Sequence, residues 1–523
     1  MNVQNKNLAA SRPMGVAGEL GAPVLEPAVI FARRVILTGE AASLRQQNGR
    51  WCFIDSLRLL SRVVGDLSVV VPDELPNFKA EVDELLTGLW SQGRVRRIAA
   101  QACDLKNATA ILNVGTAVRP DLPWTSICAN GWIVRCTSGT QPLPHGNDVD
   151  NPLASMLAAS FGVAEVFKRV YGVPTHKAAP MIDVAFSLFE LSTDFADCGP
   201  YIPKPIALPN TLLLGAGAIG NAVVLLLSHL PVTGRLLVLD KQAYGTENYG
   251  TCMLLDDTQW IKEPKATSLA AWLKNRSELE VAGEQSTVED AMGRELLKEL
   301  RPDLVINGLD DIGARKAVQK LWPSLLVDGG INSVGAAVRA HSMAHRHLAC
   351  MRCAFVEHVQ DHIDVQSKAT GLSRSSLEGN PNRLITDEDI AKANPQHREW
   401  LRSQQKLGRT ICSTMSAAQA DGLGLALEEG FHPSVPFVAA ASAALVMAHV
   451  LRTMLWPGKK FFHGFQFESV FAGVDTAQRY NKLASANCDC TRNASIIDAI
   501  RATRGAAQTT AAEHDGLNHE GAG

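Results

Sequence analysis

The stretch TLLLGAGAIGNAVVLLLSHL, residues 211–230, decides the fold. It predicts a buried strand, then a tight turn at Gly215-Ala216-Gly217-Ala218-Ile219-Gly220, then an apolar helix. Such glycines let backbone N–H groups approach a phosphate at the helix N-terminus. Asp240 ends the next strand-like run, RLLVLD, where a carboxylate can bind ribose hydroxyls. These residues predict a nucleotide site, and by themselves they fit NAD as well as ATP.

Two regions of the chain resemble each other. The helical segment NPLASMLAASFGVAEVFK (151–168) resembles VPFVAAASAALVMAHVLR (435–452), and ATAILNVG (108–115) resembles PDLVINGL (302–309). Both matches occur in the same order, strand and then helix, which favours a duplication over the chance likeness of two Ala-rich helices. Alternating strand and helix patterns in both regions predict parallel sheets.

Composition excludes several classes of protein. The 523 residues carry 50 Lys and Arg against 53 Asp and Glu, a net charge of −3, so there is no electrostatic case for a nucleic-acid or membrane partner. We expect no membrane span, and the N-terminus has no basic start followed by an apolar core, as a secretory signal would have. Eleven cysteines are few for this length, so we expect a reducing, cytoplasmic location.

Further motifs separate ATP from NAD. The strings GAGAIG, VLDKQAYGTENYG, EPKATSLAAWL and INGLDDIGARKAVQ follow one another and resemble the ThiF/MoeB and ubiquitin-activating-enzyme family. The resemblance covers about 211–490 and implies ATP and Mg²⁺ as cofactors. It implies a nucleotide site made by the residues Gly215, Gly217, Gly220, Asp240, Asn248, Lys265, Asp310 and Arg315.

The resemblance also assigns roles to these residues. Lys265 would neutralise phosphate charge, and Asp310 would hold Mg²⁺, which proteins bind through few carboxylates plus phosphate oxygens. In the first half, FARRVILTGEA resembles the family's opening motif, which implies that Arg33 reaches across to the ATP of the second half. Thr251 stands where the family has an arginine, so one phosphate contact is lost or comes from elsewhere.

Four cysteines form two close pairs, Cys350 with Cys353 and Cys488 with Cys490. Four thiolates suit tetrahedral Zn²⁺, and the resemblance places a four-cysteine zinc site here, although the family's second pair is usually CxxC. The alternative is redox chemistry at the first pair, which leaves the second pair unexplained.

Cys412, in GRTICSTMS, is the candidate catalytic cysteine. In the family, the loop at this point often carries the thiol that takes the activated carboxylate as a thioester, and a thiolate can displace AMP from an acyl adenylate. Arg409 and Ser413 could lower its pKa. The alternatives are a small buried side chain at Cys412 and, as the competing nucleophile, Cys252.

We therefore expect an α/β chain with two Rossmann-like parallel-sheet adenylation domains in a pseudo-dimeric arrangement, with an insertion and a zinc site in the second. The predicted divisions are a disordered tail (1–25), an inactive, degenerate adenylation domain (26–172), a linker (173–209), the first part of the active adenylation domain (210–355), an insertion near the catalytic cysteine (356–411), the rest of the active domain with the zinc site (412–502) and a second disordered tail (503–523).

The leading hypothesis is an activating enzyme for a ubiquitin-like protein. It would adenylate the C-terminal glycine, form a thioester on its own cysteine and pass the cargo to a conjugating enzyme, as a monomer with an internal pseudo-dimer. The two-half layout resembles bacterial enzymes of antiviral conjugation systems. The alternatives are adenylation of a sulfur-carrier protein without a thioester, an NAD-dependent oxidoreductase, and a non-enzymatic scaffold.

Overall fold

The computed structural model describes residues 12–145, 149–256, 260–292, 295–355, 363, 366–367, 370–378, 383–411, 414 and 434–502. Within these ranges two sheets share one continuous apolar core.

The first sheet has seven strands in the order β3-β2-β1-β4-β5-β6-β7. The first five run parallel, and β6 and β7 are antiparallel to their neighbours. Most of these strands are buried, as parallel strands covered on both faces must be. Their bounds are β1 Arg34–Gly39, β2 Asp66–Val69, β3 Arg94–Arg97, β4 Ala110–Val114, β5 Trp124–Asn130, β6 Ile133–Thr137 and β7 Val184–Ser187.

The second sheet repeats this topology. Its order is β11-β10-β9-β12-β13-β14-β15-β16, with β8 beside β10, and the change from parallel to antiparallel again comes after the fifth strand of the path. The shared order supports the predicted duplication. Its bounds are β8 Ile206–Ala207, β9 Thr211–Leu214, β10 Val232–Leu239, β11 Glu278–Glu284, β12 Leu304–Asn307, β13 Leu325–Ile331, β14 Ala336–Ser342, β15 Gly464–Phe467 and β16 Ala477–Tyr480.

Helices flank the sheets. In the first half they are α1 (12–19), α2 Pro27–Ala32, α3 Ala41–Arg45, α4 Gln47–Leu60, α5 Pro76–Gly88 and α6 Pro152–Tyr171. In the second they are α7 Ala218–His229, α8 Lys265–Lys274, α9 Val288–Met292, α10 Glu295–Leu300, α11 Ile312–Val318, α12 Met351–Ala354, α13 Arg374–Leu377, α14 Asp387–Lys392, α15 Arg398–Lys406, α16 Pro436–Leu455, α17 Asp489–Arg492 and α18 (494–502). Short 3₁₀ turns are Ala100–Ala102, Thr246–Gly250, Gln319–Leu321, Met343–His345, Pro395–His397 and Val470–Thr476.

The two repeated helices, α6 and α16, pack against each other in the centre of the molecule. Each begins with a proline at its first position, where no N–H is needed, and the ring centroids of Phe167 and Phe437 lie 5.7 Å apart across the contact. By length and composition α16 could cross a membrane, with a mean hydropathy of 1.6, but 83% of that window is buried inside the protein. Both halves therefore bury these helices against each other, as two subunits of a dimer would.

Two predictions about the chain need correction. Residues 173–209 are not simply a linker, because β7 completes the first sheet and β8 joins the second. Residues 12–25 do not form a wholly disordered tail, since α1 is helical and buries Val16 and Ala17 in the core.

The described part of the insertion, residues 370–378 and 383–411, has its own small apolar cluster. Thr386 caps α14 in a capping box, its side chain accepting from the Asp389 N–H while Asp389 accepts from the Thr386 N–H.

Candidate nucleotide-binding site

A cavity of about 450 Å³ lies at the carboxyl ends of β9, β10 and β12. This is the edge where parallel α/β sheets bind ligands. Seven of the eight predicted nucleotide-site residues line it: Gly215, Gly217, Asp240, Asn248, Lys265, Asp310 and Arg315. The eighth, Gly220, stands behind the loop, where a Cβ would meet the Gly215 carbonyl oxygen at 2.0 Å. Gly215 itself has φ +86°, a conformation that favours glycine.

Asp240 ties the glycine loop to the end of β10. Its carboxylate accepts from the Ala216 N–H at 2.7 Å and from the Gln242 N–H at 2.7 Å. Beneath the loop, the Asn221 amide donates to the Ala216 and Gly217 carbonyls, each at 2.9 Å. These bonds fix the shape of the loop, which places its remaining N–H groups toward the cavity. Ribose binding by Asp240 stays a prediction.

Lys265 brings a positive charge to the wall of the cavity. It begins α8 and is 5% exposed, and its ammonium donates to the Gln242 side-chain carbonyl at 2.7 Å. Asn248 lies opposite in a 3₁₀ turn, where its side-chain oxygen accepts from the Gly245 N–H at 2.9 Å. That bond leaves the Asn248 NH₂ group as a donor available to a ligand.

Asp310 and Asp311 follow β12 directly and play different roles. Asp311 caps α11, accepting from the Ala314 N–H at 2.6 Å. Asp310 is exposed and makes no hydrogen bond among the described residues, so its carboxylate is available to a cation. Oxygen donors at this edge fit Mg²⁺.

Arg315 lines the cavity, but its side-chain N–H groups donate to protein oxygens. Its guanidinium donates to the Leu309 carbonyl at 2.6 Å, to the Gly329 carbonyl at 3.1 Å and to Asp328 at 3.1 Å. Burial raises the pKa of Asp328, and the charges of Arg315 and Arg339 oppose that rise. Arg315 therefore fixes the loop that carries Asp310.

The prediction for Arg33 needs correction. Its guanidinium donates to the Val170 carbonyl and, at 3.4 Å, to the Arg169 carbonyl, so it caps the C-terminus of α6 and does not line the cavity. The cation that the first half brings to the cavity is Arg12, at the start of α1. Sequence reasoning missed Arg12 because no motif surrounds it.

The first half differs from the second at the equivalent edge of its sheet. When β1, β2 and β4 are matched to β9, β10 and β12, with Asn113 at the position of Asn307, Gly39 corresponds to Gly215 and Val71 to Asp240. Val71 has no carboxylate with which to bind the loop. Glu40 fills the space instead, its carboxylate accepting from the Asn113 amide at 3.1 Å and from the Ala117 N–H at 2.6 Å. The cavity left there measures about 70 Å³.

The first half also holds the loop that follows Asn248. Arg62 is fully buried and donates to the carbonyls of Cys252 and Leu255, each at 3.3 Å, and to the carboxylate of Asp256 at 2.8 Å. Burial acts to raise the pKa of Asp256, but Arg58 and Arg62 outweigh it and hold that pKa below its usual range. The Trp90 and Tyr249 rings add a stacked contact with centroids 5.0 Å apart.

The four paired cysteines meet at one point. The sulfur atoms of Cys350, Cys353, Cys488 and Cys490 all lie within 4.8 Å of one another. Three of the contacts measure 3.5–3.7 Å. Tetrahedral zinc with Zn–S bonds of about 2.3 Å sets its sulfurs about 3.8 Å apart. The geometry and the all-thiolate donor set fit a structural zinc.

Cys412 lies outside the residues that the structure describes. Ser434, which precedes α16 and is where the described chain resumes, lines the nucleotide cavity. The competing thiol, Cys252, is 0% exposed, and burial raises its pKa, with Lys265 the largest opposing influence. A protonated, buried thiol is a poor nucleophile, which counts against Cys252.

The fold and the cavity define a nucleotide-binding α/β protein. The ThiF family profile matches residues 205–491, more than half of the chain, and the chain belongs to that family. A further relative is the uncharacterized protein y4jF of Sinorhizobium fredii, 26% identical over 309 residues, covering 58% of this chain and 56% of that protein. The chain thus spans about half the length of this curated relative.

The chain is also similar to solved structures of MccB. The E. coli MccB complex with ATP gives a TM-score of 0.32 at 14% identity and covers 54% of this chain and 66% of that one. The microcin C7 biosynthetic enzyme MccB with N-formylated MccA gives 0.33 at 12% identity and covers 70% and 97%.

Proposed function

We propose that this protein binds ATP with Mg²⁺ in the second half and adenylates the C-terminal carboxylate of a ubiquitin-like protein. The observation that carries the proposal is one cavity, in a ThiF-family chain, that gathers a glycine loop, Lys265 and Asp310. A hydride-transfer site has no need of that lysine and carboxylate, so NAD chemistry is the weaker reading.

The adenylation step is a displacement at phosphorus. A carboxylate oxygen of the substrate attacks the α-phosphorus of ATP, the bond to the bridging oxygen breaks, and pyrophosphate leaves with its electron pair. Lys265 and Arg12 would neutralise the phosphate charge that builds up. Magnesium, held through Asp310, supplies further charge neutralisation when bound. Arg12 would also replace the positive charge of the arginine that the family has at the position of Thr251.

The second step proposed is transfer of the acyl group to Cys412. Its thiolate attacks the carbonyl carbon of the adenylate, a thioester forms, and AMP leaves. Ser434, where the described chain resumes, lines the nucleotide cavity, and this supports the proposal. A conjugating enzyme would then take the cargo, in the cytoplasm, from a monomer whose two halves form the pseudo-dimer. A role in antiviral defence is proposed from the two-half layout alone.

The four-cysteine cluster is proposed to hold one Zn²⁺. It joins residues 350–353 with 488–490, more than 130 positions apart in the chain, so its contribution is to the fold. The cluster stands apart from the nucleotide cavity, and no cysteine of it lines that cavity.

ATP–pyrophosphate exchange on the full chain tests the two steps separately. With a panel of small ubiquitin-fold proteins that end in glycine, one member should drive exchange in the wild type. Cys412→Ala should preserve exchange but abolish the covalent enzyme–cargo thioester, which a thiol reductant cleaves. Asp310→Asn should abolish both exchange and the thioester adduct. Lys106→Ala, an exposed site in the first half, is the matched control and should change neither. An adduct that survives in Cys412→Ala would contradict the assignment.

Exchange without any adduct in the wild type would favour the alternative, adenylation of a sulfur carrier. Exchange with no member of the panel, in a protein that binds ATP, would contradict a ubiquitin-like substrate.

A further inference from the structure

A second large cavity lies at the opposite edge of the second sheet. Its walls include Ser324 and Leu325, at the beginning of β13, whereas the nucleotide cavity lies where the parallel strands end. Its volume is about 560 Å³, which is within the usual size of small-molecule sites. The other walls come from the end of β14, the end of α16, the loop after α16 and α18.

The charges around this cavity are mostly positive. Arg346, Arg452, Lys459, Lys460 and Arg501 line it, and the acidic residue that lines it is Asp498. Asp498 is already paired with Arg346 at 2.5 Å. The cavity therefore keeps a surplus of cations that come from separate elements and converge on one space.

Arg452 is the most buried of these cations. It is 3% exposed, and its Nε has no hydrogen-bond partner among the described residues. One of its terminal nitrogens donates to the Lys460 carbonyl at 3.4 Å. Burial lowers the pKa of Arg452 to about 10, and Glu190 opposes the shift. Glu190, however, accepts from the Lys459 ammonium at 2.6 Å. A buried guanidinium without a carboxylate of its own is costly, and an anion in the cavity would offset that cost.

Arg501, from α18, also has a buried guanidinium nitrogen without a hydrogen-bond partner among the described residues. Its other terminal nitrogen donates to the Ser324 hydroxyl at 2.7 Å. A guanidinium held in this way keeps a fixed donor direction.

Much of the remaining cavity surface is apolar, although Ser324, Ser342 and Thr453 also line it. Leu325, Met343, Met454 and Phe461 line it, and the His345 ring stacks on Phe461 with centroids 4.5 Å apart and planes 10° apart. A ligand that fits both surfaces has an anionic group and an apolar body.

We propose that this cavity binds a small phosphate-bearing molecule, with the phosphate between Arg452, Arg501 and Lys460 and an apolar body against Phe461. Several cations converging from different directions suit the three charged oxygens of a phosphate better than the two of a carboxylate. The site is independent of the nucleotide cavity, so it stands whether or not the chain adenylates a protein.

Calorimetry on the full chain tests this site, with the nucleotide cavity first saturated by Mg²⁺ and a non-hydrolysable ATP analogue. The probes are inorganic phosphate, phenyl phosphate and benzoate. We expect one phenyl phosphate per chain, bound at least ten times more tightly than phosphate or benzoate. Lys460→Ala and Arg501→Ala should each weaken it at least tenfold, while Lys106→Ala leaves it unchanged; both target residues are at least partly exposed, so these variants should fold.

Three results would overturn the proposal. They are absence of phosphate and phenyl phosphate binding, equal affinities in the wild type and the two cavity variants, and preference for benzoate, which would reassign the site to carboxylates.

Discussion

Replacing Arg62 by Ala tests whether the first half stabilises the site of the second. In the wild type this buried guanidinium donates to two carbonyls and one carboxylate of residues 252–256, the segment that follows Asn248 and Thr251. Alanine leaves those acceptors without their donor, inside a protein interior where water does not replace it.

The magnitude follows from the Arg62–Asp256 pair. Removing one partner of a buried ion pair typically costs about 3–5 kcal/mol. Asp256 would keep Arg58 as a partner and its side chain is 18% exposed, so the lower end, about 3 kcal/mol, is expected. A loop loosened by this amount should bind ATP at least tenfold more weakly, since about 1.4 kcal/mol corresponds to a factor of ten.

Urea unfolding and ATP calorimetry measure the two effects. Arg62→Ala should lose about 3 kcal/mol of unfolding free energy and ATP affinity together. Arg94→Ala is the matched control, because Arg94 also pairs with an aspartate, Asp66, at 3.0 Å, but its side chain is 65% exposed. A stability loss under about 1 kcal/mol, the value of an exposed pair, or an unchanged ATP affinity, would refute the reasoning.

Three further predictions concern pH, metal and charge. Burial raises the pKa of Asp55 to about 7, and Arg58 opposes the shift. The folded state therefore holds a proton that the unfolded state releases above about pH 4, and stability falls as the pH rises to 7. Asp55→Asn should remove this dependence. The unfolding free energy of the variant minus that of the wild type, measured in urea, should be about 3 kcal/mol larger at pH 8 than at pH 5. The same difference at both pH values would contradict the prediction. Elemental analysis should find one zinc per chain, and Cys488→Ser should lose the zinc and lower the thermal midpoint; protein purified without chelator and free of zinc would disprove the site. Arg12→Ala should weaken ATP binding about tenfold in calorimetry, as expected for one charge-assisted contact, while Arg33→Ala lowers stability by about 1 kcal/mol and leaves ATP binding unchanged; the reverse pattern would restore Arg33 to the site.

Local patterns in the sequence predicted the features that depend on neighbouring residues. The turn at Gly215–Gly220 lies within six positions, so the sequence shows it directly. The four paired cysteines were equally visible, because their spacing reveals the donor set before the fold brings the pairs together. The duplication was visible because two segments kept a similar order of strand and helix.

Contacts between distant segments were not predictable in this way. Arg12 and Arg62 carry no motif, and they reach the second half only because α6 and α16 pack the halves together. Arg33 matched a motif, but the C-terminal carbonyls of α6 bind its side chain. Glu40, which fills the degenerate site, was equally invisible, since its role depends on strand registers that bring Asn113 beside it.

We propose that the chain has a single ATP site, which lies in the second half and is built on the glycine loop, Lys265 and Asp310. Calorimetry of the full chain with ATP and Mg²⁺ tests it most directly, with NAD⁺ as the competing ligand and Lys265→Ala as the variant. We expect one ATP per chain, at least tenfold weaker binding in Lys265→Ala, and no NAD⁺ binding. Two ATP per chain, or NAD⁺ binding without ATP binding, would contradict it.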